Sequence, residues 1–246
     1  MLDSPKTKLK LKKEERKQTV QQQTVEQKTE QKAEQDEALK LKLALQTLQK
    51  QMQLLKMREI LILAGFISGA AALRAAMQFL PSVEPLTFFA MLSGWLFGKK
   101  KGFIAGASSL YLSNFIVFGG QGPWTLFQAL GFGIAGFLGG FLRNVKEGKI
   151  PRFMVYGQVL LVTLVATLVY EIIMNISSIP FYGLFGFVTA IPFTITHIAS
   201  NLAFVTALPK AKNFVREKAG FNQIPVCKKL IEKFKIKLDK VEEISY

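Results

Sequence analysis

The sequence predicts an all-α integral membrane protein: a six-transmembrane-helix bundle with a cytosolic N-terminal arm that is helical or disordered. The prediction rests on a change in composition along the chain and on basic connections that alternate between the apolar segments. Lys, Gln, Glu and Thr dominate the arm, whereas Leu, Phe, Ala, Ile, Val and Gly dominate from Ile60 to Leu208. The chain therefore divides into a charged arm at 1–58, a membrane domain at 59–209 and a basic cytosolic tail at 210–246.

The length of each apolar segment sets the number of spans. A helix rises 1.5 Å per residue and the hydrocarbon core is about 30 Å thick, so a crossing needs about 20 largely apolar residues. The second and third candidates are shorter and require a thin or protein-shielded part of the bilayer. The six predicted spans are Ile60–Phe79, Val83–Phe97, Phe103–Phe118, Trp124–Leu142, Phe153–Met174 and Phe181–Leu208.

Basic residues in the connections give the orientation. Every second connection carries Lys or Arg, including Lys99–Lys101 between the second and third spans. The intervening loops, Leu80–Ser82, Gly119–Pro123 and Asn175–Pro180, contain neither residue type. Because cytoplasmic loops carry the excess of Lys and Arg, the sequence predicts a multi-pass plasma-membrane protein with both termini in the cytosol.

The arm reads in two parts. Lys8–Glu37 has almost no large apolar residue, so it is predicted to be disordered or a frayed helix. An apolar stripe follows, with spacings of three and four that place it on one face of a helix. Two interpretations stay open: an amphipathic helix against the membrane domain or the lipid surface, or a short coiled coil with another subunit. The stripe is Ala38, Leu41, Leu45, Leu48, Met52 and Leu55.

Composition argues against several classes of function. The net charge of +15 is spread over the arm, the tail and alternate loops, the distribution of a membrane protein rather than of a nucleic-acid interface. One cysteine, Cys227, builds neither a disulfide framework nor a thiolate metal site. With a single His and isolated acidic residues, we expect no enzyme, no catalytic residue, no metal and no cofactor. The first basic residues lead into Gln-rich sequence rather than an apolar run, so no signal peptide is expected.

Polar side chains inside the predicted spans gather towards the outer side of the membrane. Such groups are costly in lipid and normally face the bundle interior or a wet cavity. We therefore predict an outward-facing pocket. For Arg74 and Glu171 the alternative is a mutual ion pair, and for His197 it is a hydrogen bond between helices. The predicted binding residues are Arg74, Gln78, Asn114, Trp124, Gln128, Tyr170, Glu171, Asn175, His197 and Asn201.

Small residues form a second pattern. They recur along the first span at a spacing that lets another helix approach closely. One side of this stripe can serve internal packing and the other a partner protein. A similar pattern in the fourth span, around Gly136, is predicted to pack internally. The predicted partner-binding residues are Ala64, Ser68, Ala71, Ala72, Ala75 and Ala76.

A Gly122-Pro123-Trp124-Thr125 segment is followed by Gln128. It stands in an ordered series with Arg74, Pro81, Pro85, Gly94, Gly98, Gly102, Gly106, Asn114, His197, Asn201 and Leu208-Pro209. In this series, Ile60 to Lys210 resembles the substrate-binding S components of energy-coupling-factor (ECF) transporters, and the Gly-Pro-Trp-Thr segment with Gln128 is the most specific part of the match. The long charged arm departs from the family.

The resemblance implies a six-helix bundle that binds a vitamin or related micronutrient at its outer face. A transmembrane T component would contact the first helix and a cytosolic ATPase pair would supply the energy, which fits the lack of a phosphate-binding Gly-rich loop in this chain. Riboflavin, thiamine, a corrinoid, pantothenate and a modified purine all stay open, with the glycines at 119, 120 and 122 favouring a large cofactor. The alternative is a membrane anchor or assembly protein that recruits partners through its arm.

Overall fold

The computed structural model describes residues 5–145 and 150–244, and within these ranges the regular elements are helices. The chain separates into two compact units, one formed by Met1–Leu54 with Gln223–Tyr246 and one by Leu55–Asn222. Short 3-10 turns cover Gly140–Asn144 and Phe221–Gln223. The helices are α1 (Pro5–Ala76), α2 (Leu86–Phe97), α3 (Lys99–Ser113), α4 (Trp124–Gly139), α5 (Arg152–Tyr182), α6 (Phe185–Val205), α7 (Leu208–Lys218) and α8 (Ile224–Ile244).

The all-helical class is confirmed, and several long apolar helices are compatible with a membrane protein. By length and composition, four stretches of the described chain can cross a bilayer: Gln31–Ala76, Trp124–Asn144, Arg152–Tyr182 and Phe185–Val205. The other two apolar helices are shorter, with 12 residues in α2 and 15 in α3. At 1.5 Å per residue these two extend only about 18 and 22 Å. Four long helices and two short ones thus occupy the region where six spans were predicted.

Prolines lie at the start of four helices of the second unit. Pro85, Pro123 and Pro151 immediately precede α2, α4 and α5, and Pro209 lies in the first turn of α7. The first turn of a helix has no internal partner for its N–H groups, so the missing N–H of proline costs nothing there. These residues fix where four of the helices start.

The predicted connection at Lys99–Lys101 is wrong in its extent. Gly98 alone makes the turn, with φ at 98°, and its N–H donates to the carbonyl of Gly94 at 2.8 Å. A positive φ is open to glycine at little cost, so one residue can reverse the chain. The three lysines therefore form the first turn of α3.

The predicted outer loop at Asn175–Pro180 is also wrong. Helix α5 continues to Tyr182, and the chain turns at Gly183, whose φ is 59° and whose N–H donates to the carbonyl of Ile179 at 2.9 Å. Pro180 lies inside the last turns of α5 without ending the helix. Tyr182, expected to open the last span, is thus the final residue of α5.

Glycines let α2, α3 and α4 touch through their backbones. A Cβ added at Gly94 or at Gly102 would overlap with the carbonyl oxygen of Gly136, and one added at Gly136 would overlap with the carbonyl of Gly102. A Cβ at Gly106 would overlap with the carbonyl oxygen of Phe132. The internal packing predicted for the fourth span is confirmed.

Two apolar clusters complete the core of the second unit. We call the end of the bundle where α1 and α3 finish the Arg74 end, and the end where α2 finishes and α3 begins the Lys99 end. The cluster towards the Arg74 end joins Ala70, Leu86, Leu110, Phe132 and Tyr170. The cluster towards the Lys99 end joins Met91, Leu92, Trp95, Leu142, Val155, Val159, Val205 and Leu208.

The first unit is an antiparallel helical hairpin. Gln51 donates from Nε2 to Oε1 of Gln223 at 3.0 Å, and Lys237 donates from Nζ to Oε1 of Glu37 at 2.6 Å. The contact that comes first along α1, at Glu37, comes last on the other side, at Lys237. The two helices therefore run in opposite directions. The hydrogen bond and charge of Lys237 hold the pKa of Glu37 below its usual range.

The apolar stripe of the arm therefore has a partner in the same chain. Leu41 is 8% exposed, and Ala38, Leu45, Leu48 and Met52 are half-buried. Helix α8 carries a matching stripe with the same alternation of three and four residues, the pattern of a coiled-coil seam. Neither interpretation left open by the sequence describes this arrangement. The α8 stripe is Ile224, Cys227, Ile231, Phe234, Leu238 and Val241.

Enlarging a contact glycine should destabilise the bundle. We expect Gly136→Ala to lower the free energy of unfolding by about 1 to 3 kcal/mol, since the new methyl group forces two backbones apart. Gly69→Ala is the matched control: its Cβ would meet no atom within 4 Å. It should be neutral or stabilising by up to about 1 kcal/mol, because alanine is the better helix former. Thermal unfolding in detergent measures both, and equal effects would contradict the packing.

Opening the hairpin should expose its thiol. Cys227 is the one cysteine of the chain and is 4% exposed. We expect Leu41→Asp to raise the rate of maleimide labelling of Cys227 at least tenfold, because a charge in the seam costs several kcal/mol. Leu43→Asp is the control, since Leu43 is 55% exposed. Equal labelling rates in both variants would argue that α8 does not cover the stripe.

Candidate functional site

Arg74 is the centre of a hydrogen-bonded cluster at the Arg74 end. Its Nε lies 2.6 Å from Oε2 of Glu84, and its Nη1 donates to Oγ of Ser113 at 2.7 Å and to Oδ1 of Asn114 at 2.6 Å. The side chains of Arg74 and Glu84 are 15% and 16% exposed. The guanidinium thus links the end of α1, where Arg74 lies, to the connection that precedes α2 and to the end of α3.

Asn114 extends the cluster to α4. Its Nδ2 donates to Oγ1 of Thr125 and to Oε1 of Gln128, each at 3.2 Å. Thr125 in turn accepts the backbone N–H of Gly122 at 3.0 Å. Both amide atoms of Asn114, which is 3% exposed, are therefore paired with the protein. We call Arg74, Glu84, Ser113, Asn114, Thr125 and Gln128 the Arg74 cluster.

A second cluster joins α5 and α6. Oε1 of Glu171 lies 2.6 Å from Nδ1 of His197, and Oε2 accepts the hydroxyl of Thr194 at 2.7 Å. We call Glu171, Thr194 and His197 the Glu171 cluster. The ion pair between Arg74 and Glu171 that the sequence left open is not formed: Arg74 pairs with Glu84 and Glu171 with His197. Arg74 and Glu171 therefore bond within separate clusters.

Aromatic rings pack against one another next to the Glu171 cluster. The ring of Tyr170 lies 4.6 Å from that of Phe132 and 5.0 Å from that of His197, centroid to centroid. A Cβ at Gly131 would overlap with the Tyr170 ring, so α4 and α5 approach closely here. The tilted and edge-on arrangements are those that aromatic pairs prefer. Tyr170, one of the predicted binding residues, is packed against α4 and α6.

Two buried polar atoms on α6 have no hydrogen-bond partner in the described structure. They are Nε2 of His197 and Oδ1 of Asn201, in side chains that are 2% and 1% exposed. The other amide atom of Asn201, Nδ2, donates to Oγ1 of Thr167 at 3.0 Å. Residues four apart on a helix share one face, so the two atoms lie one turn from each other on the same side of α6. An unsatisfied buried polar atom is rare, and a bound ligand or an ordered water is among its explanations.

Five predicted binding residues lie outside the two clusters: Tyr170 and Asn201, described above, and Gln78, Asn175 and Trp124. Gln78 accepts the backbone N–H of Phe118 at 3.0 Å and so links the connections after α1 and α3. Asn175 donates to the carbonyl of Glu171 within its own helix. Trp124 is 41% exposed at the start of α4. The structure thus brings together Arg74, Asn114 and Gln128 in one cluster, and Glu171 and His197 in the other with Tyr170 beside them.

Sequence reasoning missed several partners of these residues. They are Glu84, Ser113, Thr125 and Thr194, all of which bond to a predicted residue. Glu84 had a readable signal, since it is the one acidic residue between Ile60 and Arg143, a segment in which Arg74 is the first cation. No comparable signal marks Ser113, Thr125 and Thr194, because Ser and Thr are common in apolar helices.

The predicted partner-binding stripe divides between two environments. Ala71 is 1% exposed and Ala75 is half-buried, so they pack within the unit. Ala64, Ser68, Ala72 and Ala76 are exposed, at successive intervals of four. A Cβ at the neighbouring Gly65 or Gly69 would meet no atom within 4 Å. The face of α1 that carries these four residues therefore has only small side chains and is exposed.

An apolar recess of about 290 Å³ lies beside the Glu171 cluster. Its walls come from the connection between α1 and α2 and from the middle of α6, around Pro192. Ser200 donates to the carbonyl of Ser82 at 3.0 Å and holds that connection against α6. Ser82 has φ at 60°, an uncommon conformation for a residue with a side chain. The lining residues are Leu80, Pro81, Val83, Pro192, Phe193 and Thr196.

Comparison with known proteins identifies the family. Residues 55–224 match a family described as being of unknown function, DUF6580. The chain belongs to the DUF6580 family. No curated protein and no solved structure matches it. The DUF6580 region coincides closely with the second compact unit, Leu55–Asn222, and it contains both polar clusters and the exposed face of α1.

The ion pair between Arg74 and Glu84 should affect stability mainly because each buried charge neutralises the other. We expect Arg74→Met to lower the free energy of unfolding by about 2 to 4 kcal/mol, because Glu84 is left largely buried without its partner. Adding Glu84→Gln should recover part of that loss, since a neutral amide is cheaper to bury than a carboxylate. Thermal unfolding of the two single variants and the double variant measures the coupling. Additive effects would show that the pair does not interact.

Proposed function

We propose that this DUF6580 protein is the substrate-capture subunit of an ECF-type importer, which binds a vitamin or related micronutrient between its helices. The observation that carries the proposal is the pair of buried, unpartnered atoms Nε2 of His197 and Oδ1 of Asn201. In the neutral tautomer whose Nδ1–H donates to the Glu171 carboxylate, Nε2 of His197 keeps a lone pair and accepts; in protonated His197, Nε2–H donates. Oδ1 of Asn201 accepts in either case. The two atoms therefore favour a ligand with an N–H or O–H group facing Asn201 and a polar group facing His197.

The position of the clusters supports capture from outside. Basic residues mark the Lys99 end, among them Arg58, Lys99, Arg143 and Arg152, whereas the connections at the Arg74 end have none. The positive-inside rule then places the Lys99 end in the cytosol and the Arg74 cluster towards the exterior. Six crossings follow if α2 and α3 cross within the shield of their neighbours. Both termini are cytosolic in this arrangement, in a multi-pass plasma-membrane protein.

The uncovered face of α1 supports an external partner. Small residues let helices approach closely in lipid, where packing rather than the hydrophobic effect drives association. In the proposed complex, Ala64, Ser68, Ala72 and Ala76 contact the T component, and a cytosolic ATPase pair provides the energy. The T component thus takes the part of the stripe that internal packing leaves exposed.

The alternative of an assembly protein that recruits partners through its arm has less support. The arm's apolar stripe is the surface that would bind another subunit, and α8 of the same chain already covers it. An anchor also gains nothing from two charged clusters buried among its helices, given the cost of such groups in lipid.

Small-molecule mass spectrometry of the detergent-purified protein tests the proposal. We expect a vitamin to be released, and the same vitamin to raise the melting temperature in a panel of riboflavin, thiamine, cobalamin, pantothenate and purines. Asn201→Leu should weaken its binding about tenfold or more, because one lost hydrogen bond to a buried group costs about 1 to 3 kcal/mol.

Thr206→Val is the matched control, since the Thr206 hydroxyl bonds only to the carbonyl of Ala203 in its own turn of chain. It should bind as the wild type does. Equal binding by Asn201→Leu would leave the importer function standing and refute the α6 site. An empty protein that no vitamin stabilises would refute the importer function itself.

A further inference from the structure

Helix α7 is held across the Lys99 end of the bundle at both of its own ends. At its start, Leu208 is fully buried, and Nζ of Lys212 lies 5.1 Å from the centre of the Trp95 ring. Just after its last residue, the carbonyl of Ala219 accepts from Nη1 of Arg58 at 3.4 Å. Phe221 then packs edge-on against Phe97, with ring centroids 5.6 Å apart. These contacts fix which face of α7 points away from the bundle.

The outward face of α7 combines one large apolar side chain with cations. Phe214 is 62% exposed. Lys210 and Lys218 are exposed four residues before and after it, so they flank Phe214 on the same helical face. Arg216 is exposed on the same helix, with Glu217 as its one acidic residue. An aromatic side chain between lysines is the arrangement that amphipathic helices present to a membrane surface.

The level of α7 fits that surface. It begins three residues after α6, a helix long and apolar enough to cross a bilayer. Its anchors are Trp95 and Phe97 at the end of α2 and Arg58 on α1, so it lies where apolar helices give way to basic termini. Lipid phosphates occupy this level, and Lys and Arg held there are attracted to anionic headgroups.

We propose that the face of α7 formed by Lys210, Phe214 and Lys218 binds the anionic phospholipid surface of the adjoining leaflet. Phe214 inserts at the boundary between headgroups and acyl chains, and the two ammonium groups bind headgroup phosphates. This inference rests on the membrane location alone and does not depend on the transport activity. The bound lipid holds α7 against the Lys99 end of the bundle and so stabilises the second unit.

Thermal unfolding of the full chain in nanodiscs tests the proposal. We expect the wild type to melt at a higher temperature in mixed phosphatidylcholine and phosphatidylglycerol than in phosphatidylcholine alone. High salt should remove most of that difference, because it screens charges at the surface. Lys210→Glu with Lys218→Glu should lose more than half of the difference. The salt arm needs no variant, so it stands even if the double substitution fails to fold.

Lys235→Glu with Lys240→Glu on α8 is the matched control, with the same change of charge at two other exposed lysines. It should keep the full response to phosphatidylglycerol. An equal loss in both double variants would show a response to overall charge and overturn the assignment to α7. A wild type indifferent to phosphatidylglycerol would also overturn it, and a loss of ATPase co-purification in the α7 variant alone would then assign this face to a protein partner.

Discussion

Four separate stretches of chain meet around the guanidinium of Arg74. It bonds to Glu84 before α2 and to Ser113 and Asn114 at the end of α3, and Asn114 passes the connection on to α4. In an apolar surrounding each of these groups would be costly alone, so the loss of one member leaves its partners destabilised. The network therefore contributes to holding α1 against α2 and α3 at this end. The backbone contacts among Gly94, Gly102 and Gly136 then bring the three helices α2, α3 and α4 together.

The helical class and the approximate position of every apolar helix were predictable from hydropathy, because the cost of burying an unpaired backbone in lipid leaves few other options. The turns were less predictable. Gly98 and Gly183 reverse the chain in one or two residues, and sequence alone does not distinguish a glycine with a positive φ from one that packs between helices. The two connections predicted from composition, Lys99–Lys101 and Asn175–Pro180, are therefore helical in the structure, and short turns at Gly98 and Gly183 take their place.

Five residues of the two polar clusters were predicted from the sequence, and the one pairing that it left open, Arg74 with Glu171, is not formed. Arg74, Asn114, Gln128, Glu171 and His197 were all predicted from their depth in the spans, and the structure places them in two clusters rather than one. Pairing depends on helix rotation and on residues at the edge of a span such as Glu84, which was predicted at the start of the second span and which the structure places just before α2. The hairpin of the first unit was not predicted, because its two stripes are separated by the whole membrane domain.

That hairpin makes the order of synthesis matter. The apolar stripe of the arm emerges from the ribosome first, and its partner in α8 emerges after all the apolar helices. Throughout insertion, Leu41 and its neighbours therefore have no seam to fill, and they are free to bind chaperones or a second nascent chain. Pairing with Cys227 and the rest of the α8 stripe removes that surface once α8 has been made. The seam therefore forms only after the helices between its two halves have been synthesised.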